Sequence, residues 1–243
     1  MAEDIRPESI RIGVIVPSVN VVVESWYPAI TPAGVSLHFA RMLMPPGPSP
    51  DKIIEMDRQD GARAIAQLAT VQPRALAYGC TASSIVQGHD FDARLREEIV
   101  RVSGAAATTA THSIFAACRA LGIGRVTSIS PYSDEIDAAE HKFFAEGGVE
   151  TIAGANLGIT DGLRLAEPGA KAILDLAMSA WDPRSDGLIA ACLNFRSHLV
   201  IDEIEARTGK PVVTSTQAVL WHALRLAGVT AKIEGYGRLL REH

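Results

Sequence analysis

Cysteine is scarce in this chain, with three in 243 residues. Three thiols cannot build a disulfide scaffold, so the chain reads as a reduced, cytoplasmic protein held together by apolar burial. Basic residues are not in excess either. Against 28 Asp and Glu stand 23 Lys and Arg, a formal net charge of −5, which argues against a broad basic face for nucleic acid. No apolar run approaches the roughly 20 residues of a membrane-spanning helix. Met1–Ser9 is polar and acidic, without the charged-then-apolar pattern of a secretory leader.

Familiar cofactor signatures are missing as well. His38, His89, His112, His141, His198, His222 and His243 are scattered, with no HxH or HExxH spacing, and Cys80 and Cys192 are not in a CxxC. No metal site is therefore expected. No GxGxxG opens a helix after a strand, and there is no P-loop and no GxSxG elbow. Neither a metal nor a nucleotide cofactor is expected.

What is present is a globular composition, 47% hydrophobic and 21% charged, long enough for one large or two small domains. Short apolar runs alternate with helical patterns from end to end. Strands are expected at Arg11–Val16, Val35–Met42, Arg74–Tyr78, Arg125–Ser130, Val149–Ala153, Asp186–Ala191 and Pro211–Thr214. Helices are expected at Asp51–Val71, Phe91–Val102, Thr111–Leu121, Ser133–Glu146, Pro168–Ala180, Leu199–Arg207 and Thr216–Ala227. This pattern predicts an α/β fold of buried parallel strands with helices on both faces. Pro45–Pro50 reads as a rigid loop at a site edge.

The halves repeat each other. RIGVIVPS (from Arg11) resembles RVTSISPY (from Arg125), RALAYGC resembles DGLIAAC, and TATHSIFAACRALGI (from Thr109) resembles TSTQAVLWHALRLAGV (from Thr214). Three landmarks at similar offsets indicate duplication. The expected division is one lobe of residues 1–117 plus 218–243 and a second of 118–217.

In open parallel sheets, ligands sit beyond the carboxyl ends of the strands. Four such ends here carry polar or thiol groups: Pro17-Ser18-Val19-Asn20, Gly79-Cys80-Thr81, Pro131-Tyr132-Ser133 and Ala191-Cys192-Leu193-Asn194. Twin lobes packed face to face would set Cys80 and Cys192 on opposite sides of one cleft. A thiol just before a helix meets free N–H groups and the positive end of the helix dipole, which lowers its pKa. The same donors, with the hydroxyls of Thr81, Ser83 and Ser84, suit a carboxylate. Cys118 lies on an apolar helix face with Ile114, Phe115 and Leu121 and reads as core. Asn20 reads as a carboxylate ligand or a helix cap, and Tyr132 as a ligand or an ordinary buried ring. Ser18, Thr81, Leu193 and Asn194 complete the candidate substrate contacts.

The ordered set GVIVPSVNVVVE (Gly13–Glu24), YGCTASS (Tyr78–Ser84), LGIGRVTSISPY (Leu121–Tyr132), LGIT (Leu157–Thr160), SDGLIAAC (Ser185–Cys192) and GYGRLL (Gly235–Leu240) resembles the aspartate/glutamate racemase superfamily. Within it the likeness is to the branch of maleate cis–trans isomerases and arylmalonate decarboxylases, over essentially the whole chain. The resemblance implies two pseudo-symmetric, flavodoxin-like halves with the active site between them and no cofactor. It implies Cys80 as nucleophile, Cys192 as the proton-handling thiol, and Asn20 and Tyr132 as carboxylate ligands. Gly162 stands where the isomerases carry an amide, and Ala82 where the decarboxylases carry a hydroxyl. The decarboxylases have glycine in place of Cys80, whereas LGIT and the C-terminal stretch look closer to them. The function expected is a cofactor-independent isomerase of a small carboxylate, maleate isomerase-like. A racemase of amino-acid or hydantoin type, an arylmalonate-type decarboxylase and a two-lobed acid-binding module are the alternatives. A homo-oligomer is expected, with neither nucleic acid nor membrane as partner.

Overall fold

The computed structural model describes residues 9–47 and 49–243. Most of the acidic N-terminal stretch, and Pro48 of the proline loop, lie outside the described residues. In chain order the first half contains β1 (Ile10–Pro17), α1 (Val23–Ile30), β2 (Val35–Met42), α2 (Pro50–Met56) running through a π-helical turn (Asp57–Gly61) into α3 (Ala62–Ala69), β3 (Ala75–Tyr78), α4 (Thr81–Gln87), α5 (His89–Ser103), β4 (Ala106–Thr109) and α6 (Ala110–Leu121). The second half contains β5 (Arg125–Ser130), α7 (Asp134–Glu146), β6 (Glu150–Asn156), a 3-10 turn (Arg164–Ala166), α8 (Ala170–Ala180), β7 (Gly187–Ala190), a second 3-10 turn (Arg196–Leu199), α9 (Ile201–Thr208), β8 (Val212–Thr214), α10 (Ser215–Leu226) and α11 (Gly237–Glu242).

Two four-stranded sheets result, ordered β2-β1-β3-β4 and β6-β5-β7-β8, with every pairing parallel. The identical order is what a duplicated half would build. β3, β7 and β8 are buried along their whole length, which is why they read as continuous apolar runs rather than alternating ones. α6 and α10 each leave the last strand of one sheet and pack against each other. Each also touches the last strand of the opposite sheet, so the seam between the halves is built from this crossed pair. No described helix is long and apolar enough to cross a membrane.

The structure departs from the sequence expectation in five places. The long helix expected at 51–71 carries a π turn at Asp57–Gly61, whose extra residue per turn turns Asp57 inward. The short elements α1, α4, β4 and α11 were given no bounds by the sequence pattern, although a helix was expected to follow Cys80. α1 is rich in β-branched and aromatic residues and contains Pro28; β4 is only four residues, AATT; α4 (TASSIVQ) is made of weak helix formers. Tertiary burial, not local propensity, settles these three.

α4 matters because Cys80 is its N-cap, and a buried carboxylate holds it in place. Asp92 at the start of α5 accepts hydrogen bonds from Ser84 of α4 (2.7 Å), from Thr111 of α6 (2.7 Å) and from Thr109, and pairs with Arg96 at 3.1 Å. Burial alone would push this carboxyl up; the three hydroxyls and Arg96 outweigh it and hold it below the usual range. Asp92→Ala strands those hydroxyls without an acceptor, and is expected to cost roughly 3 kcal/mol, read as a lower urea midpoint. Because the folded pKa is depressed, the charge-dependent part of this contribution is present above the ordinary Asp range and is lost as pH falls below that range through the folded value.

Candidate active site

β3 delivers Tyr78-Gly79-Cys80 to the seam, and β7 delivers Ala191-Cys192. Gly79 is required by close approach: a Cβ there would meet Ile15 O at 2.7 Å and Leu193 Cδ2 at 2.9 Å. The first lobe's turn therefore lies directly against the second's. Cys80 and Cys192 both line one cleft, and they are 8% and 5% exposed. Asn20, Thr81, Ala82, Tyr132, Gly162, Leu193 and Asn194 line it too. Cys118 is in the core on α6, as expected.

Both thiols are harder to ionise than a free cysteine, and here the expectation fails. Burial pushes Cys80 up to about 12, with the charge of Asp57 adding to the rise; the hydroxyl and amide of Ser83 pull the other way. Cys192 is pushed up to about 12 by burial, against the opposing pull of the Tyr132 hydroxyl and the N–H groups of Asn194 and Phe195. The helix start behind Cys80 is real, but removing water from the sulfur outweighs it. Each sulfur also lies close enough to feel a charge on the other cleft group: Cys192 raises Cys80, and both raise Tyr132.

Several expected ligands are committed elsewhere. Ser18 does not line the cleft; its Oγ accepts the Met44 amide at 3.0 Å, fixing the loop after β2. Ser83 donates to Asp57 (2.9 Å) and Ser84 to Asp92 (2.7 Å), so neither hydroxyl joins a carboxylate cradle. Asn194 lines the cleft, but its side chain clasps the lobes: Oδ1 accepts Val21 N–H at 3.0 Å, and Nδ2 donates to Val19 O (3.2 Å) and Gly162 O (2.8 Å). Its backbone N–H remains on the Cys192 side. Asn20 sits two residues before the cap position of α1, Val22, and closes the turn into that helix: its Oδ1 accepts Val22 and Val23 N–H, both at 3.0 Å, and its Nδ2 has no protein partner among the described residues. Thr81 donates to Ser215 at 3.2 Å. The donors left for a ligand are Asn20 Nδ2, the Tyr132 hydroxyl and backbone N–H groups, on residues that line the same cleft as the sulfurs.

Three groups near the sulfurs, Glu140 and Ser215 buried and Asp57 half-buried, were not foreseen. Asp57, on the π turn, accepts from Tyr78 (2.6 Å), Ser83 (2.9 Å) and Gln87 (2.7 Å), and burial raises it to about 6. Glu140 lies fully buried behind Cys192, bonded to Ser128 at 2.9 Å and pushed well up by burial. It gathers with Asp137 and His141 on α7. Ser215 takes both Thr81 and the Cys192 amide. Only Ser215 had a signal in the sequence: it occupies the place of Ala110 in the repeated TAT/TST landmark.

Fold and cleft define a two-lobed enzyme of the aspartate/glutamate racemase superfamily. The pattern of the arylmalonate decarboxylase family matches residues 13–240, and the chain belongs to that family. Over 165 residues it is 34% identical to the arylmalonate decarboxylase of Bordetella bronchiseptica, covering 67% of this chain and 69% of that one. It is 26% identical over 242 residues to the maleate isomerase of Nocardia farcinica, 96% of each chain. A cysteine-to-serine form of that enzyme with a covalently bound succinylcysteine intermediate superposes with a TM-score of 0.91 at 24% identity, covering 96% of this chain and 98% of its own. A liganded arylmalonate decarboxylase variant, with one glycine changed to cysteine and one cysteine to serine, superposes with a TM-score of 0.90 at 28% identity, covering 97% of this chain and all of its own.

With both sulfurs at about 12, alkylation by iodoacetamide without substrate is expected to be slow at pH 7 and to climb about tenfold per pH unit from 9 to 11. A plateau near pH 9 would mark unperturbed thiols. Asp57→Asn removes the negative charge beside Cys80 and is expected to speed alkylation of Cys80 severalfold at pH 8, read by mass spectrometry of the Cys80 peptide.

Proposed function

We propose that the protein is a cofactor-independent isomerase of a small unsaturated carboxylate, of the maleate cis–trans isomerase type. The observation that carries the reading is the pair of thiols facing one cleft from twin lobes. A binding clamp has no use for two sulfurs, and an enzyme that only removes CO₂ needs one. The Nocardia relative, captured as a succinylcysteine, supports the covalent course.

The neutral resting pair shapes the chemistry. The Cys80 sulfur bonds to one alkene carbon, and the double-bond pair shifts toward the neighbouring carboxylate. Cys192 gives its proton to the other alkene carbon, and the proton lost by Cys80 replaces it on the Cys192 sulfur. The former double bond is now single and rotates. The steps then reverse: Cys192 passes the proton it holds to Cys80 as the carbon–sulfur pair returns to that sulfur, Cys192 takes one of the two protons from the neighbouring carbon, and the other geometric isomer leaves. Covalent addition thus replaces one prohibitive rotation barrier with lower ones. In this reading Tyr132, Asn20 Nδ2 and the N–H of Asn194 hold the carboxylate and the enediolate that forms from it, while the Phe195 N–H is spent on the Cys192 carbonyl at 3.2 Å.

A second reading is favoured by the cleft's walls. Val19, Met44, Ile53, Ile136, Ile159 and Leu165 line it away from the sulfurs, and no lysine, arginine or histidine does among the described residues. Burying an uncompensated second carboxylate there is costly, whereas an alkyl or aryl group gains about 0.8 kcal/mol per buried methylene. This supports an acid with an apolar substituent, and with it decarboxylation or racemisation of an α-substituted acid, with Cys192 as proton donor.

The deciding experiment incubates the enzyme with maleate, an aryl-substituted maleate, an arylmalonate, amino acids and a hydantoin in D₂O, followed by NMR. Cis–trans conversion of an unsaturated acid is expected, abolished in Cys80→Ser with the fold intact. Cys192→Ala is expected to stop deuterium incorporation. CO₂ release from the arylmalonate that survives Cys80→Ser would instead establish the second reading.

A further inference from the structure

Cys192 has a backbone φ of +88°, a left-handed conformation shared among described non-glycine residues only by Gln72. A residue with a Cβ disfavours it, so something must hold it. The Cys192 N–H donates to Ser215 Oγ at 3.0 Å, and the same oxygen accepts the Thr81 hydroxyl at 3.2 Å. Ser215 is fully buried at the first turn of α10, and Thr81 directly follows Cys80. One oxygen therefore ties the turn carrying Cys192 to the helix start carrying Cys80.

The device exists on one side only. Cys80 is extended, with φ of −132°. At the first position of α6, which leaves the other sheet as α10 leaves its own, stands Ala110, which has no hydroxyl. With its amide pinned, the chain at Cys192 turns so that the Phe195 N–H closes on the Cys192 carbonyl at 3.2 Å and the N–H groups of this turn lie beside the sulfur.

We propose that Ser215 is a positioning residue for the proton-transferring thiol: its hydroxyl oxygen locks Cys192 in the left-handed turn that aims the sulfur into the cleft, and fixes that turn relative to Cys80. The proposal rests on the two-thiol reading above, and its test has an arm that needs no substrate.

Ser215→Ala, and the equal-sized pair Ser215→Thr and Ser215→Val, are compared with the wild type. Iodoacetamide alkylation at pH 9 is read separately for the Cys80 and Cys192 peptides. Loss of the hydroxyl frees the Cys192 turn and withdraws its amides from the sulfur. Its alkylation is expected to slow by about tenfold in the Ala and Val variants and to recover in Thr, with Cys80 unchanged. With maleate, kcat is expected to fall about tenfold to a hundredfold, the scale of a misplaced reacting group, with KM little altered and with the Thr variant rescued. Equal rates at Cys192 in the Thr and Val variants, or parallel slowing of both cysteines, overturns the proposal. Wild-type protein inert toward every unsaturated acid overturns the isomerase reading and leaves the alkylation arm to decide the role of Ser215.

Discussion

Removal of water from two sulfur atoms is the constraint on which the rest of the site depends. Cys80 and Cys192 sit at the floor of a cleft whose walls are aliphatic, and both are held as thiols. Hydrogen-bond donors around them are neutral: one phenol, one free amide nitrogen and a few backbone N–H groups. Such donors stabilise a charge only at the place where they point and only when it forms. A cleft of this kind carries no standing positive charge to bind anions indiscriminately. Its neutral donors suit a carboxylate held by geometry rather than by an opposing charge.

The duplicated architecture explains how two thiols come to meet, and its broken symmetry explains how they differ. Matching sheets place each cysteine after the third-position strand, β3 or β7, and the crossed helices α6 and α10 lock the halves together. Asn194 then spans the join, reaching Val19 and Val21 on one side and Gly162 on the other. Beyond this the copies diverge. Cys80 caps a helix from an extended backbone with a half-buried carboxylate, Asp57, behind Ser83. Cys192 turns left-handed over Ser215 with Glu140 behind it. A duplicated fold thus supplies the meeting, and a few local substitutions supply distinct environments.

Periodicity and strand-end chemistry made most of the frame legible. The runs ending at Pro17, Cys80, Pro131 and Cys192 are strand ends that converge on one cleft, and both cysteines could be placed there from the repeat alone. What could not be read was where each polar side chain spends its hydrogen bonds. Ser18, Ser83, Ser84 and Asn194 have the chemistry of ligands, but tertiary partners far along the chain claim them: Met44, Asp57, Asp92, and the pair Val19 and Gly162. The same holds for charge. A cysteine before a helix suggests a thiolate, and only the full enclosure shows that desolvation outweighs the helix end. Asp57 was hidden for a related reason, since a π turn cannot be told from an α turn by apolar spacing.

Burial raises both sulfurs in the same direction, and that bears on the kind of reaction the cleft suits. Neither thiol rests as an anion, so a sulfur can attack carbon or take a proton from it only as its own proton passes to a neighbour, and the other sulfur faces the same cleft. Chemistry that must give a proton to carbon and take one back, as isomerisation and racemisation require, is served by such a pair. A one-way reaction draws no advantage from it. The two environments stay distinct: Asp57 raises Cys80, and Glu140 raises Cys192. The state of the pair therefore depends on both carboxyls, and the carboxyls are held by hydroxyls (Ser83 and Ser128) that a reading of the cleft walls alone would pass over.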